Sequence, residues 1–310
     1  MTGVLIVNMG SPTAEKEMKH FLFSMFCDGA ILPFPKFFRI MMAFIISNLR
    51  YKKSWKKYEI IGGSPLIESV NQLARSLGKE LGAEYVVNTA YSYSYPTIEQ
   101  AVDDFWKKGF KKIKVIPLYP QSSFSTTGSI WKTITKLKRS HKDIQIIMNE
   151  NFSANESFIN YWISLINESI GKNKFKNPTL LFSAHAIPLN QIEKGDTYVQ
   201  EINIAAHKIA SKMGLPYKVS FQSKMGKVKW IEPDTKYSLK ILKSENVDEI
   251  IIVPISFITE NLETLYDLDV EIVPYGMKEL KIENLCRVEI PKTHTLLINM
   301  FKNLITGNNE

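Results

Sequence analysis

Few side chains of this 310-residue chain can move a proton or hold a metal near neutral pH: five histidines, two cysteines and the carboxylates. His20, His141, His207 and His294 stand in helical or loop patterns with no partner motif, and read as structural residues. His185 differs, because it sits in LLFSAHAIP directly past a predicted strand at 180–183. An imidazole at a strand end can act as a general base or as a metal ligand. A second group lies in VPISFITENLETLYDLD, residues 253–269. The stretch 250–254 is too continuously apolar for a half-exposed strand and reads as a buried one. Leu262, Leu265, Tyr266 and Asp269 then recur at helical spacing. Glu263, Asp267 and Glu271 follow at i, i+4 and i+8, so a continuous helix aligns three carboxylates on one face. Like charges at that spacing repel by roughly 0.2–0.5 kcal/mol per pair. Taken alone, such a ladder is a solvated face. Its place past the C-terminal end of a buried strand, where open α/β sheets bind ligands, turns the reading toward a path for a cation.

These residues must be positioned by an alternation of strands and helices. Strands are predicted at 4–8, 85–93, 112–119 and 144–149, then again at 180–183, 217–222, 250–254 and 285–290. Thr97 and Gln100 make a capping box, and Ser64-Pro65 a helix start. Residues 21–48 are unusually aromatic and apolar, and Pro33 and Pro35 divide them into more than one helix. Pro274 and Gly276 leave the end of the carboxylate helix open, since an interior proline costs about 3 kcal/mol. The two halves echo each other: NMGSP answers SAHAIP, YSYSYP answers SFQSKMG, and PLYPQSSFSTT answers PISFITENLET. The expected fold is α/β, with two similar doubly wound (Rossmann-like) domains, each with a four-stranded parallel sheet, and a cleft between them. The boundaries fall at 1–173 and 174–290, divided in the polar, lysine-rich link 171–178. A terminal helix at 291–310 packs back on the first domain. No GxGxxG follows a strand, so a dinucleotide site has little support.

Composition narrows the partners. Hydrophobic content of 45%, charged content of 23% and a net charge of +8 suit a globular protein with an anionic partner. Lysines are scattered and no arginine-rich aromatic face exists, so no nucleic acid is expected. Cys27 and Cys286 form no CxxC, which argues against structural zinc or a disulfide framework and fits a reducing cytoplasm. Met1-Thr2-Gly3 leads straight into the first strand, leaving no room for a targeting peptide. The longest charge-free apolar run, 40–49, is far short of the ~20 residues that span a membrane.

LLFSAHAIP, SFQSKMG followed by Trp230, and PISFITENLETLYDLD together resemble signature segments of the ferrochelatase family, which inserts Fe(II) into a porphyrin to make haem. NMGSP at 8–12, Arg50-x-x-Lys53-x4-Tyr58, IGGSPL at 61–66 and YPQSSFSTTGS at 119–129 fit in order and spacing. The resemblance implies that His185 and Glu263 are the catalytic pair, facing each other on the metal-insertion side of the porphyrin plane, with Met9 on the opposite face. It assigns Arg50, Lys53, Tyr58 and Ser64 to the propionate edge. Tyr93, Ser125, Trp230 and Phe257 become pocket residues. Asp267 and Glu271 lead from Glu263 toward solvent, with His185 and Glu263 as inner metal ligands and an outer acidic site for a divalent cation. Residues 21–48 become an apolar lip over the pocket.

The chemistry suits these types. A flat apolar disc with an anionic edge needs aromatic and methionine walls, and cations with hydroxyls at the rim. Insertion displaces two pyrrole protons, so a base is required. Fe(II) must arrive on nitrogen and oxygen ligands weak enough to release it. Protoporphyrin IX and Fe(II) are the expected substrates, with no tightly bound cofactor. Two cysteines cannot ligate a four-cysteine iron–sulfur cluster. A monomer is expected, cytoplasmic, with peripheral membrane contact through the lip. Three positions depart from the family pattern: Asn261 where a histidine is frequent, Ser92 where an arginine precedes Tyr93, and Ser122 in place of a tyrosine. Met9 favours protoporphyrin, because relatives that use coproporphyrin III tend to carry tyrosine there. The alternatives are a coproporphyrin III ferrochelatase, a cobalt or nickel chelatase, and a porphyrin-binding protein that has lost catalysis.

Overall fold

A computed structural model describes residues 1–307 apart from 225 and 227. The chain divides into two compact units, Met1–Glu150 with the residues from Ile298 onward, and Asn151–Leu297. In the first, β1 (Thr2–Asn8), β2 (Tyr85–Tyr91), β3 (Lys112–Pro117) and β4 (Gln145–Met148) form an all-parallel sheet of order β2-β1-β3-β4. The run Val4–Leu5–Ile6–Val7 is wholly buried, as a central parallel strand covered on both faces must be. The connections are α1 (Glu15–Phe26), α2 (Lys36–Ile60), α3 (Leu66–Leu81), α4 (Ile98–Lys107) and α5 (Thr127–Ser140). The capping box opens α4, with the Gln100 amide donating to Thr97 Oγ1 and the Thr97 amide to Gln100 Oε1. Apolar faces of α4 and α5 pack Val102, Phe105, Ile130 and Ile134 onto Leu5, Val7, Ile113 and Val115 of the sheet.

The second unit repeats the plan. α6 (Glu156–Asn173), β5 (Thr179–His185), α7 (Leu189–Glu193), α8 (Tyr198–Met213), β6 (Tyr217–Gln222), α9 (Thr235–Ser244), β7 (Glu249–Val253) and β8 (Asn284–Arg287) give a parallel sheet of order β6-β5-β7-β8. The strand order is the same as in the first unit, as the echoing motifs predict. The last helix, α10 (Thr295–Thr306), runs into the first unit, where Lys114 of β3 donates to the Ile305 carbonyl and Asn149 Nδ2 to Leu304 O.

Two expectations need correction. The link 171–178 is no domain boundary, because α6 belongs with the second unit. Lys212 of α8 pairs with Glu156, and Lys208 Nζ donates to Ala154 O at 3.1 Å. The polar link is a helix end: Lys174 adopts φ 57° and the Phe175 amide returns to Ile170 O. The carboxylate helix is also not a plain α-helix. It is a π-helix, Glu263–Ile272, which continues through Pro274 into a second π segment, Tyr275–Glu279. Pro274 therefore does not end it, and Glu271 stays on the same helix as Glu263. Proline breaks an α-helix by removing the i→i−4 bond and crowding that carbonyl, and a π turn bonds at i→i+5 instead.

Candidate active site

β5 is buried along its length until His185, which is half-buried at the strand end. Two bonds fix that residue. Its amide donates to Ser256 Oγ at 3.1 Å, and its Nδ1 lies 2.7 Å from Ala186 O. A carbonyl oxygen only accepts, so Nδ1 carries the proton and Nε2 is the basic atom of the neutral ring. Behind it, burial raises the Tyr198 phenol, against hydrogen bonds with Ser256 and the His185 backbone, so this hydroxyl stays protonated.

Glu263 reaches the same strand end through β6. Gln222 is the register partner of His185, and its Nε2 donates to Glu263 O at 3.1 Å. Gln222 is itself locked from below, since its Oε1 accepts from Ser183 Oγ at 2.7 Å. Ser183 and Ser220 both meet Thr235 Oγ1, at 2.9 and 3.1 Å. All four of these polar residues are almost wholly buried and mutually satisfied, which makes the platform rigid. The next residue, Ser223, holds the next ladder member: its hydroxyl donates to Asp267 Oδ2 at 2.5 Å from a backbone at φ 66°. A left-handed serine is uncommon, and such strain collects at functional sites. The last residue of β6 and the one after it thus hold Glu263 and Asp267. Exposure rises along the helix, from half-buried Glu263 and Asp267 to exposed Glu271. Among the described residues, no three of His, Cys, Asp and Glu gather to hold one ion.

Phe257 is half-buried in the turn after β7, where its amide donates to Pro254 O. Trp230 pairs with Pro188 and, with Leu189, Lys224, Val228 and Glu232, lines a hollow of about 420 Å³. Met225 of SFQSKMG lies outside the described residues.

In the first unit, Met9 and Tyr93 lie side by side. The Ser92 amide bonds Asn8 O and the Tyr93 amide bonds Met9 O, which extends the β1–β2 pairing. Gly10, at φ 87°, lets the chain turn away here, where a Cβ would meet Ser94 Oγ at 2.5 Å. The buried Tyr93 hydroxyl donates to Asp28 Oδ2 at 2.9 Å, and Ser129 donates to the same oxygen. Burial and the Asp28 charge push this phenol well above its usual range, so it is a fixed donor. Ser125 is half-buried beside Ser123, with their hydroxyls 3.2 Å apart. Arg50 and Lys53 are exposed one turn apart on α2. Tyr58 is buried and stacks on Trp55, and Ser64 Oγ accepts from the Leu66 amide before α3. Toward the start of α2, Phe37, Phe38, Met41 and Phe44 are exposed.

Sequence reasoning missed Gln222, Ser223, Ser256 and Asp28. A glutamine closing an otherwise apolar strand end, in VSFQS, was the available signal for the first two. Asp28, in the mostly apolar link between α1 and α2, belongs to no motif that would have marked it.

Two four-stranded parallel sheets with polar residues gathered past the strand ends make a doubly wound α/β architecture, a fold that solved chelatases share. SirB from Bacillus subtilis, solved with Fe3+, superposes with TM-score 0.61 at 12% identity, covering 98% of this chain and 94% of that one. CbiX, described as the terminal enzyme of siroheme biosynthesis in denitrifying bacteria, gives 0.55 at 11% identity, covering 100% and 99%. These likenesses speak for the fold. The chain belongs to the ferrochelatase family, whose model matches residues 1–309. It is 34% identical to the ferrochelatase of a Picosynechococcus species over 99% of this chain and 83% of that one. To the ferrochelatase of Aquifex aeolicus it is 33% identical, over 98% of each. It is an enzyme, a lyase that inserts metal into a porphyrin with release of two protons, and Fe(II) is its substrate.

Proposed function

We propose that the chain makes protohaem by inserting Fe(II) into protoporphyrin IX, with His185 and Glu263 as its catalytic pair. The observation that carries this is the shared strand end: His185 and Gln222 are register partners, and Gln222 holds Glu263. Nε2 of His185 has its lone pair available, because Nδ1 is committed to Ala186 O. Between them, an imidazole and a carboxylate can accept the two pyrrole protons and release Fe(II), and the neutral metalloporphyrin core balances two protons lost against one dication gained. Asp267 and Glu271 supply oxygen ligands and negative potential further out, including an outer divalent-cation site.

Met9, Tyr93, Ser125, Trp230 and Phe257 bind the macrocycle, while Arg50, Lys53, Tyr58 and Ser64 hold the propionates. Met9 supports protoporphyrin over coproporphyrin III. Its thioether suits the apolar vinyl edge that coproporphyrin replaces with two further carboxylates. The enzyme works as a cytoplasmic monomer that touches the membrane surface through its apolar lip, without an iron–sulfur cluster. Steady-state iron insertion with the two porphyrins side by side tests the reading. Higher kcat/KM with protoporphyrin IX is expected; higher kcat/KM with coproporphyrin III overturns it.

A further inference from the structure

One charged side chain in the second unit is nearly sealed from water yet plays no part in the chemistry above. Arg287 closes β8, and its side chain is 4% exposed. Its Nε and Nη2 each lie 2.7 Å from an oxygen of Asp269, a bidentate pair. Its Nη1 donates to Glu260 Oε1 at 2.8 Å and to Val288 O at 2.9 Å. Burial alone would lower the pKa of this guanidinium, but Asp269 and Glu260 outweigh it and hold the charge in place. Glu260 and Asp269 lie on either side of Glu263 in the chain, three residues before and six after.

Glu260 passes the constraint on. Its Oε1 also accepts from the Ile290 amide at 2.8 Å, and its Oε2 accepts from the Thr264 hydroxyl. Thr264 is fully buried, directly after Glu263. Its amide donates to Asn261 Oδ1 at 2.9 Å, and its Oγ1 accepts from the Asn261 amide at 3.0 Å. The first turn of the π-helix is thereby hung from Arg287 through Glu260, and its second turn through Asp269. A π-helix needs such restraint, because tightening one turn to the commoner i→i−4 pattern shifts every later residue around the axis. Asp267 and Glu271 would then leave the line that starts at Glu263.

We propose that Arg287 is a positioning residue: from β8 it clamps Glu260 and Asp269 and so sets the wide helical turn that aims Glu263, Asp267 and Glu271. This rests on the reading of Glu263 as catalytic. Its consequence is a split that a merely stabilising arginine would not produce. Arg287→Met that remains folded loses kcat by roughly ten- to hundredfold, because misplacement of about 1 Å is that costly. Its KM for iron rises while its KM for porphyrin is unchanged. Arg287→Lys, which keeps the charge without the fork, recovers part of the loss.

Amide hydrogen exchange gives a readout apart from turnover, with faster exchange confined to residues 260–272. If Arg287→Met fails to fold, Asp269→Asn serves instead, since Asp269 is partly exposed and the Glu260 half of the clamp survives. It should show the rise in iron KM and the local exchange, with a smaller fall in kcat. Glu263→Gln is measured alongside. Wild-type kcat in Glu263→Gln overturns the catalytic reading of that residue. An inactive Glu263→Gln beside a folded clamp variant with wild-type kcat, iron KM and exchange overturns the clamp.

Discussion

Asp267 and Glu263 share a helix but not a surrounding. Gln222 holds Glu263 at its backbone carbonyl, and Ser223 holds Asp267 at its carboxylate. Asp267→Asn keeps the shape and removes one charge. It should raise the KM for Fe(II) severalfold and leave the porphyrin KM alone. Glu263→Gln and His185→Ala should each reduce kcat by about 10²–10⁴, the usual worth of a positioned acid or base. Parallel titrations of iron and porphyrin check the split, and equal iron KM values for wild type and Asp267→Asn would remove Asp267 from the metal path. His185 and Glu263 stood out as candidates in the sequence because they sit in long motifs at strand ends. Their supports did not, because Ser183, Ser220, Gln222 and Thr235 come from two strands and a helix start that only the sheet register brings together.

At the scale of elements, the alternation of strand and helix was readable from apolar runs and caps, and all eight strands appear in the parallel sheets that the repeat implied. The π-helix was not readable. Its residues keep an apolar spacing that fits an α-helix as well, and the contacts that restrain it are tertiary: the clamp from β8, and the close approach of Gly276 to the same strand. A Cβ on Gly276 would stand 2.3 Å from Leu285 Cδ2, with Leu239 and Ile282 leaving little room for the leucine to move. Gly276→Ala is therefore expected to destabilise the protein by about 1–3 kcal/mol, the cost of overpacking a closed core. Urea unfolding measures it, and an unchanged midpoint would mean that Leu285 swings aside freely. α2 shows the converse limit. Its aromatic run was legible, but its length was not, since the lysine-rich second half continues the same helix to Ile60.

For the molecule as a whole, the net charge of +8 and the face of α2 act together. Phe37 is 85% and Phe44 60% exposed, with Lys36 and Arg39 between and beside them and Lys52, Lys53 and Lys56 further along. No helix among the described residues is long and apolar enough to cross a membrane. An apolar stripe bordered by cations is the pattern of a segment that lies on an anionic bilayer. Liposome flotation should retain the protein on anionic vesicles and less on neutral ones, and Phe37→Ser with Phe44→Ser should weaken that retention. Equal flotation of wild type and variant would leave these rings with the porphyrin alone.

The placement of α10 has a consequence for how the chain comes to be folded during synthesis. Met300, Phe301 and Ile305 are buried, and the carbonyls of Leu304 and Ile305 are capped by Asn149 and Lys114. The first unit therefore lacks part of its own interior until more than 140 later residues have left the ribosome. The second unit, made from one uninterrupted stretch, has no such wait. A nascent chain stalled after Leu297 would carry a finished second half behind a first half still open to chaperones, so that order of emergence and order of completion run in opposite directions.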